Sequence, residues 1–152
     1  MASLIELNNG HKQPQLGFGT WLAKPGEVER AVAVAVKAGF RHVDCANIYG
    51  NENEVRIGLQ EAFDSGIKRE DVFITSKLWN TFHKKQDVLP ALKRSLSDLG
   101  LTYLDQYLIH WPMGYENGGD EKVKVLTVGT PSKGTPNKII FPYLTQNLRN
   151  GK

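Results

Sequence analysis

Four titratable residues of this sequence stand at the end of a short apolar segment or just after one: Asp44, Tyr49, Lys77 and His110. A lysine ammonium beside a tyrosine favours the phenolate, so it makes the phenol a stronger proton donor. An aspartate could hold that ammonium in place, and a histidine could donate a hydrogen bond to a carbonyl oxygen. Such a group could protonate the alkoxide formed when hydride reaches a carbonyl carbon, and a nicotinamide cofactor would have to supply the hydride.

Each of the four residues also has an ordinary structural explanation when it is taken alone. Asp44 could form a helix cap or a turn, Tyr49 could be a half-buried surface ring, and Lys77 could be a solvated cation. His110 could be a buried histidine whose hydrogen bonds are satisfied. Because parallel α/β proteins gather their chemistry at the carboxyl ends of the strands, the joint placement favours a functional site.

Three amphipathic helices are predicted from apolar residues that recur at helical spacing. Gly39, Gly66 and Gly100 follow the apolar faces as stop signals, and Asn51 with Glu54 resembles a capping box. The predicted helical segments are residues 26–40, 51–67 and 86–101, with apolar faces formed by Val28, Ala31, Val32, Ala35 and Val36, by Val55, Leu59, Ala62 and Phe63, and by Leu89, Leu92, Leu96 and Leu99.

Short apolar segments before and after these helices are predicted to be buried strands, at residues 15–20, 41–45, 71–77 and 103–110. The alternation of strand and helix predicts an α/β fold whose parallel strands are joined by right-handed crossovers. The segment at residues 4–14 predicts a β-hairpin before the sheet, with Asn9 and Gly10 in a two-residue type I′ turn.

The alternation ends near Asp120, so we expect one domain at residues 1–120 and a divergent, poorly ordered tail at residues 121–152. Within the tail, residues 122–128 (KVKVLTV) could form one exposed strand. The chain has net charge +3, and the basic excess lies in the tail, where six Lys and Arg accompany one acidic residue. The tail lacks dense basic runs and interleaved aromatic residues, so nucleic acid is not an expected partner.

The composition is that of an average soluble domain, with 40% hydrophobic and 23% charged residues. No apolar run approaches the roughly 20 residues that span a bilayer, and the first residues lack the pattern of a secretory signal. Cys45 is the single cysteine, so no intrachain disulfide can form, as is usual in a reducing compartment. We therefore expect a cytoplasmic protein without a membrane partner.

Four motifs of this sequence resemble the aldo-keto reductase family: GFGTW (17–21), FRHVDCANIYGNENEV (40–55), FITSKLWN (73–80) and LDQYLIHWP (104–112). Trp21 and Trp79 make the resemblance closest to the aldose and aldehyde reductase branch. The resemblance implies an NADPH-dependent reductase that acts on a small-molecule aldehyde or ketone. The implied fold is a (β/α)8 TIM barrel, of which this chain would form a part: the hairpin and about the first four strands and three helices.

The resemblance also assigns roles to particular residues. Asp44, Tyr49, Lys77 and His110 match the catalytic tetrad of the family, with Tyr49 as the proton donor. Gly19, Thr20, Trp21 and Asp44 match its cofactor-binding residues. The implied substrate-binding residues are Trp21, Tyr49, Trp79, His110 and Trp111.

Other kinds of site are less consistent with the same residues. Residues 17–22 (GFGTWL) contain two glycines of the dinucleotide-binding fingerprint, but Leu22 stands where the third is required. Tyr49 and Lys77 are far apart, unlike the Tyr-x-x-x-Lys pair of short-chain dehydrogenases. His42 and Asp44 share a strand face and could begin a metal site, but no ligand cluster completes it, so no metal is expected.

The length argues against a finished barrel, because eight strands and helices take about 250 residues. The first and fourth strands should be open edges, with Val43, Phe73, Ile74 and Leu108 facing an incomplete interior. The resemblance implies that the residues gripping the cofactor phosphates belong to the other half, so NADPH should bind weakly. The alternative hypothesis is a truncated, inactive fragment or isoform that acts, if at all, by association, including self-association through the open edges.

Overall fold

The computed structural model describes residues 3–115, where every helix is too short or too polar to serve as a transmembrane segment. The predicted boundary near Asp120, the tail and its possible strand lie outside the described residues. In chain order the strands and helices are β1 (Leu4–Glu6), β2 (Lys12–Pro14), β3 (Phe18–Gly19), α1 (Val28–Lys37), β4 (His42–Asp44), α2 (Glu52–Asp64), β5 (Phe73–Leu78), α3 (Lys85–Leu99) and β6 (Gln106–Ile109). Short 3₁₀ turns lie at Asn47–Tyr49, Arg69–Asp71 and Asn80–Phe82.

The N-terminal hairpin forms as predicted, but its turn is of a different type. β1 and β2 pair antiparallel. The Leu7 amide donates to the His11 carbonyl at 2.8 Å and the Gly10 amide donates to the Leu7 carbonyl at 2.9 Å, so three residues form the loop. Gly10 has a φ of 80°, but Asn9 does not share the positive φ that a type I′ turn requires at both positions. The prediction of that turn is wrong, because a three-residue loop confines the left-handed conformation to glycine.

Four parallel strands form the sheet, in the order β3-β4-β5-β6. One helix joins each strand to the next, so the alternation predicted from the sequence is confirmed. The register places Gly19 beside Asp44, Asp44 beside Thr75, and Lys77 beside Leu108. In the sheet of the described residues β3 and β6 each have one neighbouring strand, so the first and fourth strands are its edges.

The helices bury the predicted faces with one exception, on α3. Leu89 was expected to be buried, but its exposed fraction is 56%. Val88 packs against the core in its place, and Leu92 and Leu99 are buried as expected. The prediction for Leu89 is wrong because the line that faces the core runs at helical spacing through Val88, Leu92, Ser95 and Leu99.

The start of α2 lacks the predicted capping box. The Asn51 side chain makes no bond to the start of the helix. Its Nδ2 atom donates instead to the Thr20 carbonyl, at 2.8 Å. Glu54 Oε2 accepts a hydrogen bond from the Gly26 amide at 2.9 Å. Both side chains therefore tie α2 to the loop between β3 and α1, rather than to its own backbone.

The helices α1 and α2 cross in close contact at Gly58. A Cβ atom at this position would lie 2.3 Å from the Glu29 carbonyl oxygen and 2.9 Å from Val32 Cβ. Since real atoms do not approach so closely, the crossing distance depends on a residue without a side chain. This contact lets both helices pack their apolar faces onto the same side of the sheet.

Neighbouring strand residues face opposite sides of the sheet, and the helices cover one side. Val43, Cys45 and Ile74 are fully buried in the core between the sheet and the helices. The expectation that Val43 and Ile74 face the barrel interior is wrong: Asp44 faces inward to meet Lys77, so the residues next to it in the strand face outward. Phe73 and Leu108 do lie on the inward side. We call this side the inner face, formed by His42, Asp44, Phe73, Thr75, Lys77 and Leu108.

Candidate active site

The four titratable residues singled out from the sequence come together at one edge of the sheet. Asp44 is the last residue of β4, and Tyr49 ends the 3₁₀ turn that follows it. Lys77 lies next to the end of β5, and His110 comes directly after β6. Since the strands are parallel, all four lie at their carboxyl ends, as predicted.

Lys77 is the centre of the group. Its Nζ atom donates hydrogen bonds to Asp44 Oδ2 at 2.8 Å, to the Cys45 carbonyl at 2.9 Å and to the Tyr49 hydroxyl oxygen at 3.1 Å. An ammonium has three N–H donors, so these three acceptors satisfy it. Burial lowers the pKa of Lys77, but the hydrogen bonds and charges of Asp44 and Tyr49 outweigh burial, and the net shift is upward. The ammonium therefore stays charged at neutral pH.

Tyr49 uses its hydroxyl oxygen as the acceptor for Lys77, which leaves its own hydroxyl proton for another partner. Its ring meets the His110 ring edge to face, with centroids 5.6 Å apart at 84°. The phenol is thus fixed from two sides, by a cation at the oxygen and by an imidazole at the ring. This geometry suits a proton donor that must point in one direction.

His110 is held among aromatic rings. Its ring meets Trp79 edge to face at 5.3 Å and stacks on Trp111 at 6.2 Å. Burial lowers the pKa of His110, the Lys77 charge lowers it further, and Asp44 opposes the shift. The imidazole is therefore neutral at pH 7, with a single N–H to donate. Its Nδ1 atom is buried and has no hydrogen-bond partner within residues 3–115.

Aromatic side chains form a wall around the phenol and the imidazole. Trp21 stacks on Tyr49 with ring centroids 6.3 Å apart and is 67% exposed. Trp111 is 54% exposed. Tyr115, which is not among the residues predicted from the sequence, packs edge to face on Trp79, with ring centroids 6.3 Å apart. Its signal in the sequence is weak, a lone aromatic residue in the glycine-rich segment after His110.

Gly19 and Thr20, two of the residues predicted to bind a cofactor, lie beside Asp44. The backbone amide and the hydroxyl of Thr20 both donate to the Asp44 carbonyl, at 3.2 Å and 3.1 Å. Thr20 is 1% exposed, so its side chain supports the site from within. Gly19 pairs with Asp44, and its Cβ position meets no atom within 4 Å. There is thus open space beside the half-exposed Asp44 side chain.

Two buried residues behind the site were missed by sequence reasoning, Asn51 and Glu52. The Asn51 side chain donates to the Thr20 carbonyl, so it holds the segment that carries Trp21. Glu52 is 3% exposed, and its Oε1 atom accepts a hydrogen bond from Ser76 Oγ at 2.6 Å. In the sequence both belong to the polar run NENE, which is typical of a solvated helix start, so nothing in it signals burial.

His42 lies on the inner face below Asp44, but it is not part of a metal site in the described residues. Its Nε2 atom is 3.0 Å from Thr75 Oγ1 and its Nδ1 atom is 3.3 Å from the Pro14 carbonyl. No group of three potential metal ligands occurs within residues 3–115. The Nδ1 atom therefore joins the sheet to the hairpin, and the Nε2 atom joins β4 to β5 within the sheet.

The model of the Aldo/keto reductase family matches residues 15–138 of this chain. A D/L-glyceraldehyde reductase of Hypocrea jecorina is 55% identical over 118 residues, which cover 76% of this chain and 36% of that protein. The Mus musculus aldo-keto reductase family 1 member A1 is 51% identical over 119 residues, which cover 77% of this chain and 37% of that protein. The matching part thus spans a little over a third of the length of these curated relatives.

Solved structures match over a similar share of this chain. The aldose reductase of Schistosoma japonicum superposes with a TM-score of 0.75 and 50% identity, covering 78% of this chain and 40% of that one. An aldo-keto reductase of Bombyx mori in complex with NADP superposes with a TM-score of 0.71 and 42% identity, covering 76% and 40%. The four-stranded sheet and its helices are therefore part of a TIM barrel, as predicted.

Proposed function

This chain belongs to the aldo/keto reductase family, and from that premise we propose that its site reduces the carbonyl group of a small aldehyde or ketone to an alcohol. The observation that carries the proposal is the position of Lys77 Nζ, which bonds both Asp44 and the Tyr49 hydroxyl. A charged donor at a phenol oxygen is the arrangement that a tyrosine needs to act as a general acid.

Tyr49 is the proposed proton donor. It transfers its hydroxyl proton to the oxygen of the reduced carbonyl, and the phenolate that remains accepts the hydrogen bond from Lys77. Asp44 holds the ammonium in place during this transfer. The charge that develops on Tyr49 therefore appears where an opposite charge already lies, so little rearrangement is required.

His110 and the tryptophans are proposed to position the substrate. The neutral imidazole donates its N–H to the carbonyl oxygen and so places that oxygen next to the Tyr49 hydroxyl. Trp21, Trp79 and Trp111 cover the apolar part of the substrate and exclude water from it. Two relatives are named for glyceraldehyde and aldose reduction, which supports small aldehydes as the substrate class.

The proposed cofactor is NADPH, which supplies the hydride when it is bound. The described residues fit its nicotinamide end, because the open space at Gly19 lies beside Asp44. Gly19, Thr20, Trp21 and Asp44 would hold it there. The complex of the Bombyx mori relative with NADP supports this choice.

The proposed location of the protein is the cytoplasm.

We also propose that residues 1–120 form the part of the barrel that carries the site and that residues 121–152 are a separate basic tail. The family match extends past this boundary, to residue 138. Limited proteolysis tests directly where the boundary lies. A cleavage site near Asp120 is expected, and protection of the chain beyond residue 130 would contradict it.

A second proposal, suggested by the edge strands, is association with another copy or a relative. β3 and β6 each have one neighbour in the described sheet, and Leu108 on the inner face is 38% exposed. A second chain that pairs with the edge strands and covers the inner face would satisfy the open strand edges and bury Leu108. Light scattering after gel filtration tests this, and a monomer at every concentration would contradict it.

The reductase activity is tested by following the loss of NADPH absorbance in the presence of glyceraldehyde. We expect a rate above that without protein, and we expect that rate to disappear in Tyr49→Phe. Tyr103→Phe is the matched control, because Tyr103 packs against Arg69 away from the site. A wild-type rate equal to the rate without protein, across several aldehydes, would contradict the proposed function for this chain.

A further inference from the structure

Glu52 is a buried carboxylic acid that has no part in the proposed reaction. It is the first residue of α2 and is 3% exposed. Burial raises its pKa, and the hydrogen bonds from Ser76 and Asn47 oppose that shift. Glutamate is rarely buried without a specific partner, so its place at this point of the fold needs an explanation.

The carboxylate of Glu52 bonds two segments that are distant in sequence. Its Oε1 atom accepts a hydrogen bond from Ser76 Oγ at 2.6 Å. Its Oε2 atom accepts a longer one from Asn47 Nδ2 at 3.4 Å. Ser76 directly precedes Lys77 in β5, and Asn47 begins the 3₁₀ turn that ends at Tyr49. One side chain thus contacts both segments that carry the ammonium and the phenol.

These contacts act from the side of the sheet opposite to the site. Ser76 is fully buried on the helix side, whereas Lys77 lies on the inner face. Glu52 therefore touches neither reacting group. By bonding both segments, Glu52 holds the backbone of β5 at a fixed distance from the backbone of the 3₁₀ turn. The 3.1 Å distance from Lys77 Nζ to the Tyr49 hydroxyl oxygen depends on that separation.

We propose that Glu52 is a positioning residue, which holds the 3₁₀ turn of Tyr49 and the strand of Lys77 in the relation that the Lys77–Tyr49 hydrogen bond requires. The kinetic consequence rests on the proposed function, whereas the geometric consequence does not. Loss of the carboxylate should lengthen or break that hydrogen bond while the fold persists. A glutamine should largely preserve it, because its side-chain oxygen still accepts from Ser76 and its amide nitrogen can donate to Asn47 Oδ1 once the Asn47 side-chain amide turns over.

The test uses the full chain with tyrosine labelled with carbon-13 at Cζ, the atom that bears the hydroxyl. The chain has 5 Tyr, and the resonance of Tyr49 is the one lost in Tyr49→Phe. Lys77→Met, which removes the hydrogen bond, gives the reference displacement of this resonance. We expect Glu52→Ala to show most of that displacement and Glu52→Gln to stay near the wild-type position.

Val72→Ala is the control for general destabilisation, because Val72 is fully buried just before β5, at the end of the strand away from the site. It should leave the Tyr49 resonance in place. An unmoved resonance in a folded Glu52→Ala variant would overturn the proposal, as would an equal displacement in Val72→Ala. If circular dichroism shows that Glu52→Ala is unfolded, Ser76→Ala takes its place with the same expected and contradicting outcomes.

Kinetics separate this inference from the proposed function. In an active chain, Glu52→Ala should lower kcat about tenfold and change KM by less than about twofold, because it affects proton donation more than substrate binding. If the wild-type chain reduces no carbonyl, the proposed function fails, while the position of the Tyr49 resonance still decides the role of Glu52.

Discussion

Lys77 and Asp44 form an ion pair between adjacent parallel strands, with Lys77 Nζ 2.8 Å from Asp44 Oδ2. The lysine side chain is 13% exposed and the aspartate side chain 37%, so water reaches the pair mainly from the aspartate side. The pair holds the ammonium at the Tyr49 hydroxyl rather than leaving it in solvent.

Replacing Tyr49 by phenylalanine should remove the proton donor and leave the fold intact. The hydroxyl bonds only to Lys77 in the described residues, so the thermal midpoint should change little. General acid catalysis contributes about 10²- to 10⁴-fold, and we expect kcat to fall within that range. Steady-state kinetics and a thermal melt measure the two effects. Retention of most of kcat would contradict the role of Tyr49.

Replacing Lys77 by methionine should be nearly as damaging as loss of the phenol. The variant keeps most of the length of the side chain but removes the charge that assists proton donation, so kcat should fall by about 10²-fold or more. Lys37→Met is the control, since Lys37 pairs with Glu61 on the surface and should contribute less than about 1 kcal/mol to stability. Equal kinetics in the two variants would show that the Lys77 charge is not needed.

Cys45 should matter for stability more than for chemistry, although it follows Asp44 directly. Its side chain is fully buried on the helix side, and burial raises the pKa of its thiol, so the folded protein should not react with iodoacetamide. Cys45→Ser places a hydroxyl in that core and should cost about 1–3 kcal/mol. Urea unfolding and kcat are measured together. A large loss of kcat with an unchanged unfolding midpoint would argue against this assignment.

Acid should destabilise the protein through His42. Burial lowers the pKa of His42, and the hydrogen bond to Pro14 and the charge of Asp44 only partly oppose it. Between that lowered pKa and about 6.5 the unfolded chain binds more protons than the folded chain. The free energy of unfolding should therefore fall as pH drops through this window, by at most about 1.4 kcal/mol per pH unit for this residue.

The measurement is urea unfolding at several pH values between about 7 and about 5, the range in which an ordinary histidine titrates. His42→Gln, which keeps a polar side chain beside Thr75, should show a shallower dependence on pH than the wild type. Burial also lowers the pKa values of His83 and His110. These two residues therefore contribute part of the dependence of the unfolding free energy on pH in both proteins. Identical slopes would exclude His42 as a source of the acid sensitivity.

Gly58→Ala should destabilise the fold, although alanine normally favours a helix by about 1 kcal/mol. The added methyl group would lie 2.3 Å from the backbone oxygen of Glu29, so α1 and α2 would have to separate. Overpacking of this kind costs about 1–3 kcal/mol. Gln60→Ala, at an exposed position of the same helix, should be neutral or slightly stabilising. An unfolding midpoint for Gly58→Ala at or above the wild-type value would disprove the close crossing.

The sequence predicted the parts of this fold that depend on local pattern. Strand and helix alternation follows from the spacing of apolar residues, and Asp44, Lys77 and His110 could be placed at strand ends because each ends an apolar segment. The side that each strand residue faces was not predictable in this way: Val43 faces outward because Asp44 must meet a lysine 33 positions later. Glu52 was missed for the same reason, since its partner Ser76 lies 24 positions away.

The order of the strands in space is also their order along the chain, β3-β4-β5-β6. During synthesis on the ribosome, each new strand can therefore dock on a neighbour that has already emerged, and each helix can cover the pair it connects. Such short-range closure is fast compared with pairing between distant segments. Asp44 and Tyr49 precede Lys77 along the chain, so the hydrogen bonds of Lys77 to both can form only after β5 has docked on β4.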